Sequence, residues 1–200
     1  MDWAALLASA LPSVDVFAPS FDELCFMLLG PNAHERLDLC NLRALADRVL
    51  RMGPVIAAIK LGDQGLYLRT RAGDAGLSRF CDILGLRRAE WHDREVLAPC
   101  FRALRVAGTT GSGDCTIAGL LAALLRGEDP VTAATAATAV GACSVEAPDA
   151  TGGVPPWRNV AARLTAGWPR LPSSPRLTAV AAWRRDARGT LFDPTPMELR

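Results

Sequence analysis

The apolar positions of this 200-residue chain switch between a helical period and short continuous runs. Residues 3–11 read as a short helix ending at Pro12, and residues 14–18 as a buried strand with Asp15 inside it. Pro19-Ser20 ends that strand. Residues 21–29 return to the helical period, and Ser20-Phe21-Asp22-Glu23 has the S-x-x-E form of a capping box. A turn follows at residues 30–32. From residue 35 to 52 a long amphipathic helix places Leu39, Leu42, Leu45, Ala46 and Val49 on one face, and Gly53-Pro54 stops it. Residues 55–60 form a strand, residues 62–65 a glycine turn and residues 66–69 a second strand, making a hairpin-like unit.

Residues 70–99 have no clear period and predict an irregular excursion with short strands. Residues 104–107 predict a strand that runs into a glycine-rich turn. Ile117, Leu120, Leu121, Leu124 and Leu125 then recur at helical spacing. Asp129-Pro130 is a helix start, aspartate as N-cap and proline at the first helical position. Residues 131–145 form a helix of small residues suited to close packing. Residues 148–156 are a loop and residues 157–164 a last helix. The proline- and arginine-rich residues 168–200 predict an extended tail, packed locally through Trp183 and Phe192. The expected organisation is one domain over residues 1–167 followed by that tail. Alternating strands and helices predict a three-layer α/β fold with a mainly parallel sheet.

Composition narrows the chemistry. The formal net charge is +1, which gives no broad electrostatic case for nucleic acid or an anionic membrane. No apolar run is long enough to span a bilayer. Met1-Asp2-Trp3 lacks the basic start of a secretory signal. The six cysteines form no C-x-x-C pair and read as reduced thiols of a cytoplasmic protein. His34 and His92 are isolated, without a ligand partner at metal spacing.

The candidate chemistry centres on Gly108-Thr109-Thr110-Gly111-Ser112-Gly113-Asp114. A helix that opens near Gly111 points unpaired N–H groups outward, which is a ready anion site. Asp114 in the same turn is either a first-turn acid favoured by the helix dipole or a base that must sit beside a phosphate. The stretch has no GK[ST] and no G-x-G-x-x-G, so it is neither a P-loop nor a dinucleotide fingerprint. Lys60 is the sole lysine in an otherwise arginine-only set of basic residues, and it precedes Gly62 and Gly65 directly. A compact ammonium at that point suits a phosphate oxygen; a plain hairpin turn explains the glycines equally.

Thr109-Thr110-Gly111-Ser112-Gly113-Asp114, followed by Ala118-Gly119 and Ala123-Leu124, resembles the C-terminal signature of the ribokinase-like (PfkB) carbohydrate kinases, D-T-T-G-x-G-D and then a helix with A-G-x-x-x-A-L. Pro19 to Glu23 resembles the family's P-N-x-x-E, with serine for asparagine. Lys60 to Gly65 resembles its T-x-G-x-x-G, with lysine for threonine. The family's first aspartate is Gly108 here. That aspartate helps hold a monovalent cation, so weak potassium dependence or none is expected.

The resemblance implies a ribokinase-like α/β/α fold and transfer of a phosphoryl group from ATP, with Mg2+, to a hydroxyl of a sugar-like small molecule. It implies Asp114 as the base and Gly111, Ser112 and Gly113 as anion-hole donors. Lys60, Gly62, Gly65, Thr109 and Thr110 would line the nucleotide phosphates, and Glu23 would organise magnesium. The resemblance covers about residues 14–164, the C-terminal half or more of a family member. The part carrying the β lid and much of the sugar surface has no counterpart, so a fragment and a natural short form are both open. A sheet truncated on its N-terminal side would leave apolar surface for a partner, a homodimer being one. The alternative function is a catalytically impaired nucleotide-binding fragment or partner subunit of the same fold.

Overall fold

The structure is a computed structural model that describes residues 2–30, 36–179 and 182–193. The expected turn at 31–32, the expected helix start at Glu35, and His34 lie outside the described residues.

The first strand is β1 (Val16–Phe17), preceded by α1 (Trp3–Ala10). Two helices, α2 (Phe21–Leu29) and α3 (Leu39–Met52), carry the chain over to β2 (Ile56–Lys60), which pairs with β1 in parallel. α2 begins where the sequence predicts, because the Ser20–Glu23 capping box is formed. α3 begins at Leu39, later than expected, because the Asp38 side chain accepts from the Asn41 N–H and caps it there.

A single 3-10 turn, Gly62–Gln64, folds the chain straight back into β3 (Leu66–Thr70). The expected excursion with short strands contains one strand, β4 (Glu95–Ala98), and before it two helices that were not expected, α4 (Leu77–Leu84) and α5 (Arg88–Trp91). Two long helices follow, α6 (Ser112–Leu124) and α7 (Pro130–Ser144), then α8 (Trp157–Thr165). The segment after residue 167 adds α9 (Pro175–Thr178) and the strands β5 (Arg184–Arg185) and β6 (Leu191–Phe192).

The sheet order is β1-β2-β3-β4-β6-β5. Among the described residues only the β1–β2 strand pair is parallel and the other four strand pairs are antiparallel, so the expectation of a mainly parallel sheet is corrected. A parallel pair needs a crossover, and between neighbouring strands only the α2–α3 connection supplies one; the chain crosses the sheet again between β4 and β5, but antiparallel β6 separates those two strands. The link from β2 to β3 is a tight turn, and α4 and α5 return the chain to the same end it left.

The layering is nevertheless α/β/α, because strand residues alternate between two buried faces. Ala57, Ile59, Tyr67 and Leu97 pack with α1, α2, α3 and Leu177. Ile56, Ala58, Leu66, Leu68 and Val96 pack with α4, α5, α6 and α7. The α6–α7 contact is close because Gly119 has no side chain: a β-carbon there would stand 2.9 Å from the Ala136 carbonyl oxygen.

Residues 104–107 do not form the predicted strand. Their partners are on the end of α7, not in the sheet: Leu104 N–H donates to Glu146 Oε1 at 2.8 Å, and Ala107 N–H to the Val145 carbonyl at 2.8 Å. Leu104 and Val106 are 85% and 71% exposed.

Candidate active site

The candidate residues gather at the end of the sheet where β1 and β2 finish, the usual ligand edge of parallel α/β strands. Lys60 N–H donates to the Pro19 carbonyl at 2.9 Å, and Ser20 and Lys60 pair as an isolated parallel bridge. This brings the start of α2 beside the end of β2. The Ser20 N–H donates to Glu23 Oε2 at 2.6 Å, and the Glu23 N–H to Ser20 Oγ at 3.2 Å. The Ser20 N–H bond, aided by the Ser20 hydroxyl and the Lys60 charge, holds the Glu23 carboxyl below its ordinary value. Glu23 therefore presents a negative charge near Lys60 at neutral pH.

The start of α6 approaches from the other side. Lys60 Nζ lies 3.4 Å from the point where a β-carbon on Gly113 would stand. Gly111 caps the helix in the left-handed region, φ 77°, and a β-carbon there would stand 2.7 Å from Ala150 Cβ and 2.8 Å from the Ala150 carbonyl oxygen. Both the dihedral and the contact require glycine. The Ser112 N–H donates to the Thr109 carbonyl at 3.2 Å inside the turn. That leaves the N–H groups of Gly111, Gly113 and Asp114 without a backbone acceptor among the described residues, a small anion-binding concavity. Thr109, Thr110 and Asp114 are exposed. The Asp114 carboxylate has no hydrogen-bond or ion-pair partner among the described residues.

Gly62 and Gly65 form the turn that leaves Lys60. Leu61 N–H donates to the Gly65 carbonyl at 2.8 Å and closes it. A β-carbon on Gly65 would stand 2.0 Å from the Ala98 carbonyl oxygen, so the turn is pressed against the end of β4. Cys100 Sγ donates to the Gly62 carbonyl at 3.4 Å, and burial pushes this thiol up to about 11, so it remains neutral.

Sequence reasoning missed two features of this region. The Gln64 side chain accepts from the Ser174 N–H at 2.8 Å, which ties the glycine turn to residues far along the chain. Gly108 is crowded by carbonyls: a β-carbon there would stand 2.9 Å from the Pro148 oxygen and 3.2 Å from the Ala147 oxygen. Neither contact has a local signal, because both depend on segments distant in sequence.

Residues 2–157 match the pfkB family carbohydrate kinases. No curated protein matches the sequence. Among solved structures, the chain resembles ribokinase from Thermotoga maritima, at 21% identity and TM-score 0.58, over 79% of this chain and 44% of that one. Arabidopsis thaliana ribokinase, solved with ribose and ATP, is similar at 19% identity and TM-score 0.58, over 78% of this chain and 42% of that one. Aminoimidazole riboside kinase from Salmonella enterica, solved with aminoimidazole riboside and an ATP analogue, is similar at 25% identity and TM-score 0.56, over 80% of this chain and 45% of that one. The chain thus spans less than half the length of each of these structures.

Proposed function

The chain belongs to the pfkB family of carbohydrate kinases, and from that premise we propose that it transfers the γ-phosphoryl group of ATP to a hydroxyl of a sugar-like small molecule in the cytoplasm. The observation that carries the reading is the meeting of the Lys60 ammonium with the start of α6 at Gly113. A cation and three unpaired N–H groups at one point suit an anionic phosphate.

The residues also fit magnesium brought in on a nucleotide. Among the described residues no group of three or more His, Cys, Asp or Glu side chains could hold a metal ion. Magnesium commonly keeps several waters and binds through substrate phosphates with one or two carboxylates, and the ionised Glu23 is placed to serve it through water. When bound, ATP with magnesium supplies the transferable group and neutralises its oxygens.

The chain's own residues have separable roles in this reading. Asp114, exposed and unpaired, accepts the proton of the attacking hydroxyl. The N–H groups of Gly111, Gly113 and Asp114 donate to oxygens on which charge gathers. Ser112 contributes chiefly by closing the turn. Lys60 acts as a point charge, and the Gly62–Gly65 turn with Thr109 and Thr110 lines the phosphate path.

A second reading is favoured by Gly108, where the Pro148 carbonyl fills the place a side chain would take. It is a nucleotide-binding chain of the same fold with impaired catalysis, acting with a partner subunit.

ADP release from ATP, measured across a panel of sugars and nucleosides, separates the two. The kinase reading expects acceptor-dependent ADP release that Asp114→Asn lowers by roughly 100- to 10,000-fold, with ATP affinity nearly unchanged. ATP binding without acceptor-dependent release supports the second reading. No ATP binding at all removes both.

A further inference from the structure

A second basic concavity lies beyond the Gly62–Gly65 turn, in residues that mostly follow the family match. It is a cleft of about 630 Å³, lined by Arg102, Arg170, Arg185 and Arg188 together with Phe101 and Trp168. Among the described residues no aspartate or glutamate lines it. Among the described residues none of these four arginines forms an ion pair with a carboxylate. Asp186 is the near acid, and its Oδ1 accepts from the N–H groups of Arg188 and Thr190 within the turn between β5 and β6.

The back wall is pre-organised. Trp168 stacks on Phe101 with ring centroids 4.7 Å apart, and the Arg170 guanidinium stands 3.9 Å over the Phe101 ring. Arg170 donates to the carbonyls of Pro99 and Arg188 and to the hydroxyls of Thr135, Thr138 and Thr190. Every one of those acceptors is neutral. Burial consequently lowers its pKa to about 10, and it remains a fixed cation at neutral pH. Arg163 also contacts Trp168, but its charge is balanced by a two-point pairing with Glu146 at 2.9 Å.

We propose that this cleft is a binding site for a small phosphate ester, held by the guanidinium groups of Arg102 and Arg188 at its mouth against the fixed charge of Arg170. Arginine forks match phosphate oxygens two at a time. Four arginines with the single nearby carboxylate of Asp186 leave a positive excess among the described residues, which favours a dianion over a monoanion. The volume suits a small molecule. The site does not depend on the kinase reading, although its wall is bonded to the candidate phosphate turn. Leu171 N–H donates to the Cys100 carbonyl at 2.8 Å, Cys100 Sγ contacts the Gly62 carbonyl, and Ser174 N–H donates to Gln64.

The test is calorimetric titration of the full chain with phenyl phosphate, with inorganic phosphate and with benzoate, the last being a monoanion with the same ring. Phenyl phosphate should bind saturably and more tightly than benzoate. The double variant R102Q/R188Q should weaken it at least tenfold, because both side chains are exposed and unpaired and their loss leaves the fold intact. Lys60→Gln should leave it within about twofold. Absence of saturable binding, equal binding by the double variant, or loss in Lys60→Gln with retention in the double variant would each overturn the proposal. So would binding of a single-stranded RNA with none of phenyl phosphate.

Discussion

The ammonium of Lys60 and the backbone of Gly113 meet: Nζ lies 3.4 Å from where a β-carbon on Gly113 would be. One residue ends β2 and the other opens α6, so the contact joins two halves of the candidate site across 53 residues of chain. If it forms a phosphate-binding pair, Lys60→Gln should weaken ATP binding by about 10- to 150-fold, the usual worth of a charge-assisted hydrogen bond of roughly 1.5–3 kcal/mol. Thermal stability should change little. Unchanged affinity by calorimetry would separate Lys60 from the nucleotide.

Glu23 provides a pH signature. Its carboxyl is held below the ordinary 4.5 by the Ser20 N–H, then by the Ser20 hydroxyl and the Lys60 charge. A carboxyl whose folded pKa lies below its unfolded pKa stabilises the fold above the unfolded value and loses that contribution as pH falls through the folded value. Glu23→Gln retains a side chain able to cap but not the charge. The stability gap between wild type and Glu23→Gln should therefore be constant near neutrality and shrink once pH drops below about 4.5. Denaturant unfolding at a series of pH values measures it; a gap that widens in acid would contradict the assignment.

Gly111 is the most constrained backbone position of the site. Alanine there must adopt the left-handed region, which costs about 1–2 kcal/mol, and must also push Ala150 away. Gly111→Ala should lower unfolding free energy by at least that amount in a urea titration. Ala150→Gly should recover only part of the loss, because the Ala150 carbonyl remains 2.8 Å from the new carbon.

Potassium should activate turnover weakly or not at all. Gly108 offers no carboxylate, and one missing negative charge weakens a cation site strongly at short range. Gly108→Asp should not create the dependence, since its β-carbon would stand 2.9 Å from the Pro148 oxygen and displace that loop. Turnover with and without potassium chloride, at ionic strength matched with a large organic cation, checks this. Strong saturable activation specific to potassium would show that other groups complete the site.

Much of this protein is written in local sequence. The Ser20–Glu23 box starts α2, Asp129-Pro130 starts α7, and Gly111 starts α6, because each depends on hydrogen bonds or dihedrals within a few residues. The candidate anion turn, its carboxylate Asp114 and the glycines beside Lys60 were legible for the same reason. The core face of α3 was readable from period alone.

Only the tertiary structure decided where the strands pair and what the turns touch. Residues 104–107 have the composition of a strand, yet their N–H groups bond to the residues that follow α7. Short strands were expected somewhere in residues 70–99 and an extended tail after residue 168, but only the fold decides that residues 95–98 and 191–192 pair with each other as β4 and β6. The link from Gln64 to Ser174 and the stack of Trp168 on Phe101 have the same character. A hydrogen bond or ring contact between residues more than 60 positions apart leaves no period and no spacing to read. It exists only once the core has fixed both partners in space.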